Sequence, residues 1–207
     1  DPRYLATTAR LYASIAEVTG SRVIVDSSKW PVHPGLLGLV PGIDPYMLQI
    51  VRDPRAVAFS WRRTKHFHDR PHPEAMPRFS TPYSAASWTG RHLLVEAARR
   101  RLDKGRARRM RYEDLIAEPE SSLDGVGAWV GEPANSAAFI HGNTARFGAN
   151  HSVSGNPNRL RAGETQLRED TEWKTAMGLL SKVTVTAACW PLMLRYGYPL
   201  LAHRRLR

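Results

Sequence analysis

The sequence predicts an α/β fold, a parallel sheet flanked by helices, and three observations lead there. Short strand-length runs, the apolar or β-branched "RVIVD" (22–26) and "YMLQIV" (46–51) and the Arg-rich "RRMRY" (108–112), are separated by segments whose apolar residues recur at helical spacing. None of the runs alternates strictly between apolar and polar residues, the pattern of strands covered on both faces. Each run ends in a polar corner, "DSSK", "RDPR" and "EDL", at the carboxyl edge where such sheets bind their ligands. With 207 residues, 42% of them hydrophobic, the chain is long enough for one sizeable core and short for two, so a single domain over 1–207 is expected.

The first helix is signalled at both ends. Asp1 is an N-cap, Pro2 fits the first turn, and Leu5, Ala9, Tyr12, Ile15 and Ala16 share one face until Gly20 stops the helix. The strand 22–26 follows, then a stretch punctuated by Pro and Gly up to Pro45. The strand 46–51 leads into a helix from Pro54 to about Phe67. Residues 66–84 carry Pro71, Pro73, Pro77 and Pro82, which predicts an irregular lid or binding loop. A long helix over 84 to about 103, the strand 108–112 and a helix opening at Pro119 come next. The stretch 141–170 shows little periodicity, and Trp173–Leu201 returns to helix, kinked at Pro191.

The formal charge is +11, from 30 Lys and Arg against 19 Asp and Glu, and 25 of those cations are arginine. Its planar fork matches the oxygens of phosphate and sulfate, so a polyanionic ligand fits; a solvated helix end accounts equally well for "RRRLDKGRARRMR". One cysteine, Cys189, sits in an apolar stretch and excludes an intrachain disulfide or a cysteine-based metal site. No apolar run reaches the roughly 18 residues that span a bilayer, and the start "DPRYLATTAR" has no signal-peptide pattern. A soluble, cytoplasmic protein without a membrane span is expected.

Four groups of residues carry candidate chemistry. Arg52 ends a strand and Ser60 lies two turns into the next helix, so both reach an anion near the strand end. Lys29 follows the first strand, where a compact cation could stabilise a leaving oxygen. Tyr112, an aromatic with a polar tip, ends the third strand and suits a base pocket. "SGNPNRLRAG" (154–163) offers Arg159, Arg161 and Gly163, whose amide no side chain shields. The bland alternatives are a surface ion pair, a solvated lysine, a core tyrosine and a basic loop. His66, His68 and His72 hint at a metal site without the carboxylates and cysteines to complete it, and His151 precedes the "SGNP" loop.

In the order "RDPRAVAFSW", "RYEDL", "GNPNRLRAG" with "DTEWK", and "RYGYP", the sequence resembles the bacterial branch of the sulfotransferases that use 3′-phosphoadenosine 5′-phosphosulfate, over residues 22–199. The resemblance implies a P-loop-type three-layer α/β fold and sulfuryl transfer to a hydroxyl or amine of a small-molecule, glycan or lipid acceptor, with no metal required. It implies that Arg52 and Ser60 grip the nucleotide 3′-phosphate, that Tyr112 lies against the adenine, and that Arg159, Arg161 and Gly163 close over that phosphate. Lys29 would stand beside the transferred group. The sequence departs from the pattern twice. No Gly-rich phosphate loop precedes residue 22, which implies that the family's first strand is absent, leaving a gap between 46–51 and 108–112 and a chain that is inactive alone. The general base is also unsettled among Asp26, His33 and a residue outside this sequence.

Two other readings stand beside this one. A nucleotide kinase-like phosphotransferase of the same fold would prefer ATP. A basic nucleic-acid-binding module would bind longer oligonucleotides more tightly and lose affinity steeply with salt, whereas a sulfotransferase takes a single 3′-phosphorylated nucleotide and no nucleic acid. Monomer and homo-oligomer both stay open.

Overall fold

The computed structural model describes residues 1–28, 30–64, 66–67, 74–103, 105–133, 135–148 and 162–201. Helix α1 (Pro2–Thr19) has the ends its sequence signals: the Asp1 carboxylate accepts from the Arg3 amide at 2.8 Å, and Gly20 closes the helix with φ +65°. Its half-buried residues include Leu5, Ala9, Tyr12, Ile15 and Ala16, the face read from the sequence. A short helix, α2 (His33–Leu37), interrupts the Pro/Gly-rich stretch.

Strand β1 (Met47–Val51) pairs in parallel with β4 (Ala107–Arg111), from Met47 opposite Ala107 to Val51 opposite Arg111. Between them in sequence come α3 (Pro54–Arg62), a two-residue strand pair β2 (His66–Phe67) and β3 (Glu74–Ala75), and α4 (Thr81–Arg99). The long connection is required, because parallel neighbours cannot be joined by a tight turn. After β4 come α5 (Tyr112–Ala117) and α6 (Pro119–Val130), then β5 (Ile140–His141), β6 (Thr144–Phe147) and β7 (Gly163–Gln166) as an antiparallel sheet. Helices α7 (Trp173–Ala176) and α8 (Leu179–Arg195) follow, with Pro191 inside α8.

The core lies where α3, α4 and α8 meet the end of β1. Val51, Ala58, Ala85, Val185, Cys189 and Met193 are fully buried there, with Trp88, Trp173, Tyr196 and Tyr198 around them. Small residues on α3 and α4 let the helices approach closely, and Cys189 packs as the small hydrophobe its sequence context indicates. Beside this core runs a polar network. Gln49, facing inward from β1, accepts from Arg99 and Arg109 at 3.2 Å each, and its amide lies 3.0 Å from His92 Nδ1. Glu96 accepts from Arg195 at 2.9 Å, from the Tyr196 hydroxyl at 3.0 Å and from Arg109. The Gln49 amide and the Glu96 carboxylate thus find partners on both sides, as burial demands.

Four expectations need correction. Residues 22–26 form no strand: Val25 is 88% exposed, and among the described residues the segment has no ladder partner and is held at its ends, by Arg22 to Glu132 at 3.0 Å and by the Asp26 carboxylate. Strands 46–51 and 108–112 have no gap between them, since they pair directly. β1 is covered on one face only, with Val51 at 0% and Ile50 at 50% exposure. The helix after β1 ends at Arg62, because the chain turns extended at Arg63 and then pairs as β2.

Candidate active site

The corner after β1 is built by two arginines with different duties. Asp53 caps α3, accepting from the Arg55 amide at 2.8 Å, and also takes the Arg55 guanidinium on both oxygens, at 3.0 and 2.7 Å. Arg55 is 1% exposed, donates further to the carbonyls of Pro199 (2.9 Å) and Leu200 (3.2 Å), and lies over the Trp173 ring at 4.8 Å. It is a brace that ties the corner to the C-terminal segment. Arg52 is the one that faces outward.

Because Val51 and Arg111 are paired, Arg52 and Tyr112 leave the sheet side by side, and the Arg52 guanidinium lies 4.9 Å over the Tyr112 ring. The Arg52 carbonyl is fixed by the Trp88 indole at 3.2 Å, while its guanidinium reaches the Asp170 carboxylate at 3.4 Å. Glu113 locks the neighbouring motifs together. One oxygen accepts from the Asp53 amide at 3.1 Å and the other from the Tyr198 hydroxyl at 2.7 Å, so "RDPR", "RYEDL" and "YGYP" meet at one carboxylate. Burial first, and then this bond to Glu113, hold the Tyr198 hydroxyl far above its usual pKa, so it stays a neutral donor.

A second group stands after residue 25. The Asp26 carboxylate accepts from the Ser28 amide at 2.8 Å, from the hydroxyls of Ser28 and Tyr12, and from His33 Nε2 at 3.0 Å. Burial alone would raise its pKa, but the bonds from Ser28, Tyr12 and His33 outweigh it and hold the carboxyl well below the usual range. The Tyr12 hydroxyl is pushed up to about 12, by burial and then by its bond to Asp26. So saturated a carboxylate is a poor proton acceptor. It is well suited to orient His33, which then presents Nδ1 as its free lone pair when neutral.

The structure therefore brings together Arg52 with Tyr112, and Asp26 with His33. Ser60 sits half-buried on α3, two turns beyond Arg52. Gly163 opens β7 opposite Phe147 with φ +86°, a conformation that favours glycine. Lys29, Arg159, Arg161, His68, His72 and His151 lie outside the described residues. Sequence reasoning missed Arg63, whose guanidinium meets Asp170 at 3.4 Å and pairs with Glu172. The doubled arginine of "SWRR" was its only signal.

The model of the sulfotransferase family matches residues 5–136, a span that contains Asp26, His33, Arg52, Ser60 and Tyr112. The chain belongs to the sulfotransferase family. It is an enzyme that transfers sulfuryl groups, and the match favours neither the kinase-like nor the nucleic-acid reading. Among solved structures the fold is similar to the sulfotransferase domain from the curacin biosynthetic pathway, with a TM-score of 0.60 at 16% identity over 93% of this chain and 69% of that one. No curated protein matches. Among the described residues, no helix is long and apolar enough to cross a membrane.

Proposed function

We propose that this sulfotransferase moves the sulfuryl group of 3′-phosphoadenosine 5′-phosphosulfate to a hydroxyl or amine of a small-molecule acceptor. The observation that carries the reading is the stacked Arg52–Tyr112 pair at the carboxyl edge of the parallel strands, a cation beside an aromatic face where a phosphorylated adenosine needs both. In this reading Arg52 and Ser60 hold the 3′-phosphate and Tyr112 flanks the adenine. Gly163, together with Arg159 and Arg161, covers the phosphate, and Lys29 stands near the leaving oxygen; these roles rest on sequence position.

His33 is the general base in this proposal, oriented by Asp26 at 3.0 Å. The acceptor oxygen or nitrogen attacks sulfur in line, the bond from sulfur to the bridging phosphate oxygen breaks, and adenosine 3′,5′-bisphosphate leaves with the electron pair. The acceptor's proton passes to His33. The protein's part is positioning and charge neutralisation, as in phosphoryl transfer. A nucleophile and base held in place account for about 100- to 10,000-fold in rate, so His33→Ala should cut transfer of labelled sulfate from the donor by about that much while donor binding stays within a few fold. Unchanged turnover in His33→Ala would remove it as the base, and an absence of transfer from the donor to any of a panel of hydroxyl and amine acceptors would remove the reading itself.

A further inference from the structure

Asp170 stands between two arginines that come from different places in the fold. Its Oδ2 lies 3.4 Å from Arg52 Nη2, just beyond β1, and 3.4 Å from Arg63 Nη1, just beyond α3. The Arg52 nitrogen also reaches the Asp170 carbonyl at 3.5 Å, and the other terminal nitrogen of Arg63 pairs with Glu172. These separations exceed the roughly 2.7–2.9 Å of a well-formed guanidinium–carboxylate bond. One carboxylate oxygen bridges two forks at long range to each, while the other accepts from the Glu172 amide at 3.3 Å. A phosphate monoester, with three terminal oxygens and a charge of roughly −1.5 to −2, supplies what the carboxylate lacks: an oxygen for each fork and a second charge.

The surroundings keep both forks in place for such an exchange. Tyr112 lies under Arg52 and Phe59 under Arg63, each about 4.9 Å from its guanidinium, so the two planes are fixed by aromatic faces. Arg52 is 23% exposed, and Arg63 and Asp170 are each 32% exposed, so a ligand can enter from solvent. Arg63 also borders a cavity of about 200 Å³ lined by Phe59, Arg62, Arg78, Ala176 and Met177.

We infer that Arg63 is a second guanidinium ligand of the nucleotide 3′-phosphate and that Asp170 is an internal stand-in anion which the phosphate displaces from Arg52 and Arg63. The inference rests on the nucleotide site proposed above. It assigns specificity to a pair of forks: a nucleotide without the 3′-phosphate cannot displace Asp170 and gains nothing from Arg63. Glu172 keeps its own nitrogen of Arg63 throughout, holding the fork in position.

The test is calorimetric binding of adenosine 3′,5′-bisphosphate and of adenosine 5′-phosphate to the wild type, Arg63→Gln, Asp170→Asn and Arg52→Ala. Arg63→Gln should weaken the bisphosphate by about tenfold or more, and Asp170→Asn should strengthen it by several fold, since each tenfold reflects only about 1.4 kcal/mol. Neither variant should move the 5′-phosphate by more than about twofold. If Asp170→Asn weakens the bisphosphate or leaves it unchanged, Asp170 is no displaced anion; equal affinity in Arg63→Gln removes Arg63 from the site. Where Arg52→Ala weakens the bisphosphate and these two variants behave so, the inference alone fails. Should Arg52→Ala bind as well as wild type, the nucleotide site beneath it fails too.

Discussion

Replacing Arg55 tests the corner that aims Arg52. Arg55→Met removes a guanidinium that is 1% exposed, leaving the Asp53 carboxylate buried with only the Arg55 amide to satisfy it, and frees the Pro199 and Leu200 carbonyls. Breaking a buried ion pair from one side costs about 3–5 kcal/mol. In a chain of this size each kcal/mol lowers Tm by roughly 2–4 °C, so Arg55→Met should melt about 6–20 °C below the wild type. Removing both charges should be gentler. In Asp53→Ser with Arg55→Met, the serine can still cap α3 and no buried charge is stranded, so roughly half the loss or more should return. Urea and thermal unfolding of the wild type, both single variants and the double variant complete the cycle. A cost below about 1 kcal/mol for Arg55→Met, or strictly additive single effects, would refute the claim that this pair is a buried brace.

Two further outcomes follow from the site and its supports. Burial, more than the Arg109 charge, lowers His92 to about 4 from its ordinary 6.5, while the Glu96 charge opposes the shift. The unfolded chain then binds the extra proton between those values, so stability is full above about pH 6.5 and falls as pH drops toward 4, by up to roughly 3 kcal/mol; His92→Gln should flatten that slope in urea titrations between pH 4 and 6.5, and an unchanged slope would contradict the burial argument. Asp26→Asn should leave nucleotide binding within about twofold and lower turnover by 10-fold or more, because an amide no longer supports the imidazolium that forms on His33; wild-type turnover in that variant would dissociate the pair from chemistry.

Local signals made the first helix and the β1–α3 corner legible. Asp1, Pro2 and Gly20 act within their own turns, and "RDPRAV" holds a cap, a first-turn proline and both arginines in six residues. The role of Arg55 was not legible, since it is buried against carbonyls of residues 199 and 200, some 145 positions away. A comparable separation in sequence hid Asp170, 107 positions from Arg63. Residues 22–26 carry a strand's composition, but a strand also needs a neighbour, and β-propensity is mostly a statement about neighbours. Strands β5, β6 and β7 are too short to show a period, and the pairing of Thr144 with Gln166 spans a long intervening stretch. For Asp26 and His33 the sequence supplied both candidates; only their 3.0 Å contact divides the work between a base and its orienter.

The most direct test of the central claim is discrimination at the 3′-phosphate. The sulfotransferase should bind adenosine 3′,5′-bisphosphate at least about tenfold more tightly than adenosine 5′-phosphate, and Arg52→Ala, by stranding part of the phosphate charge at a cost of about 2–3 kcal/mol, should remove most of that preference. Equal affinity for the two nucleotides in the wild type, or a preference undiminished in Arg52→Ala, would contradict the assignment of the β1 corner as the donor site.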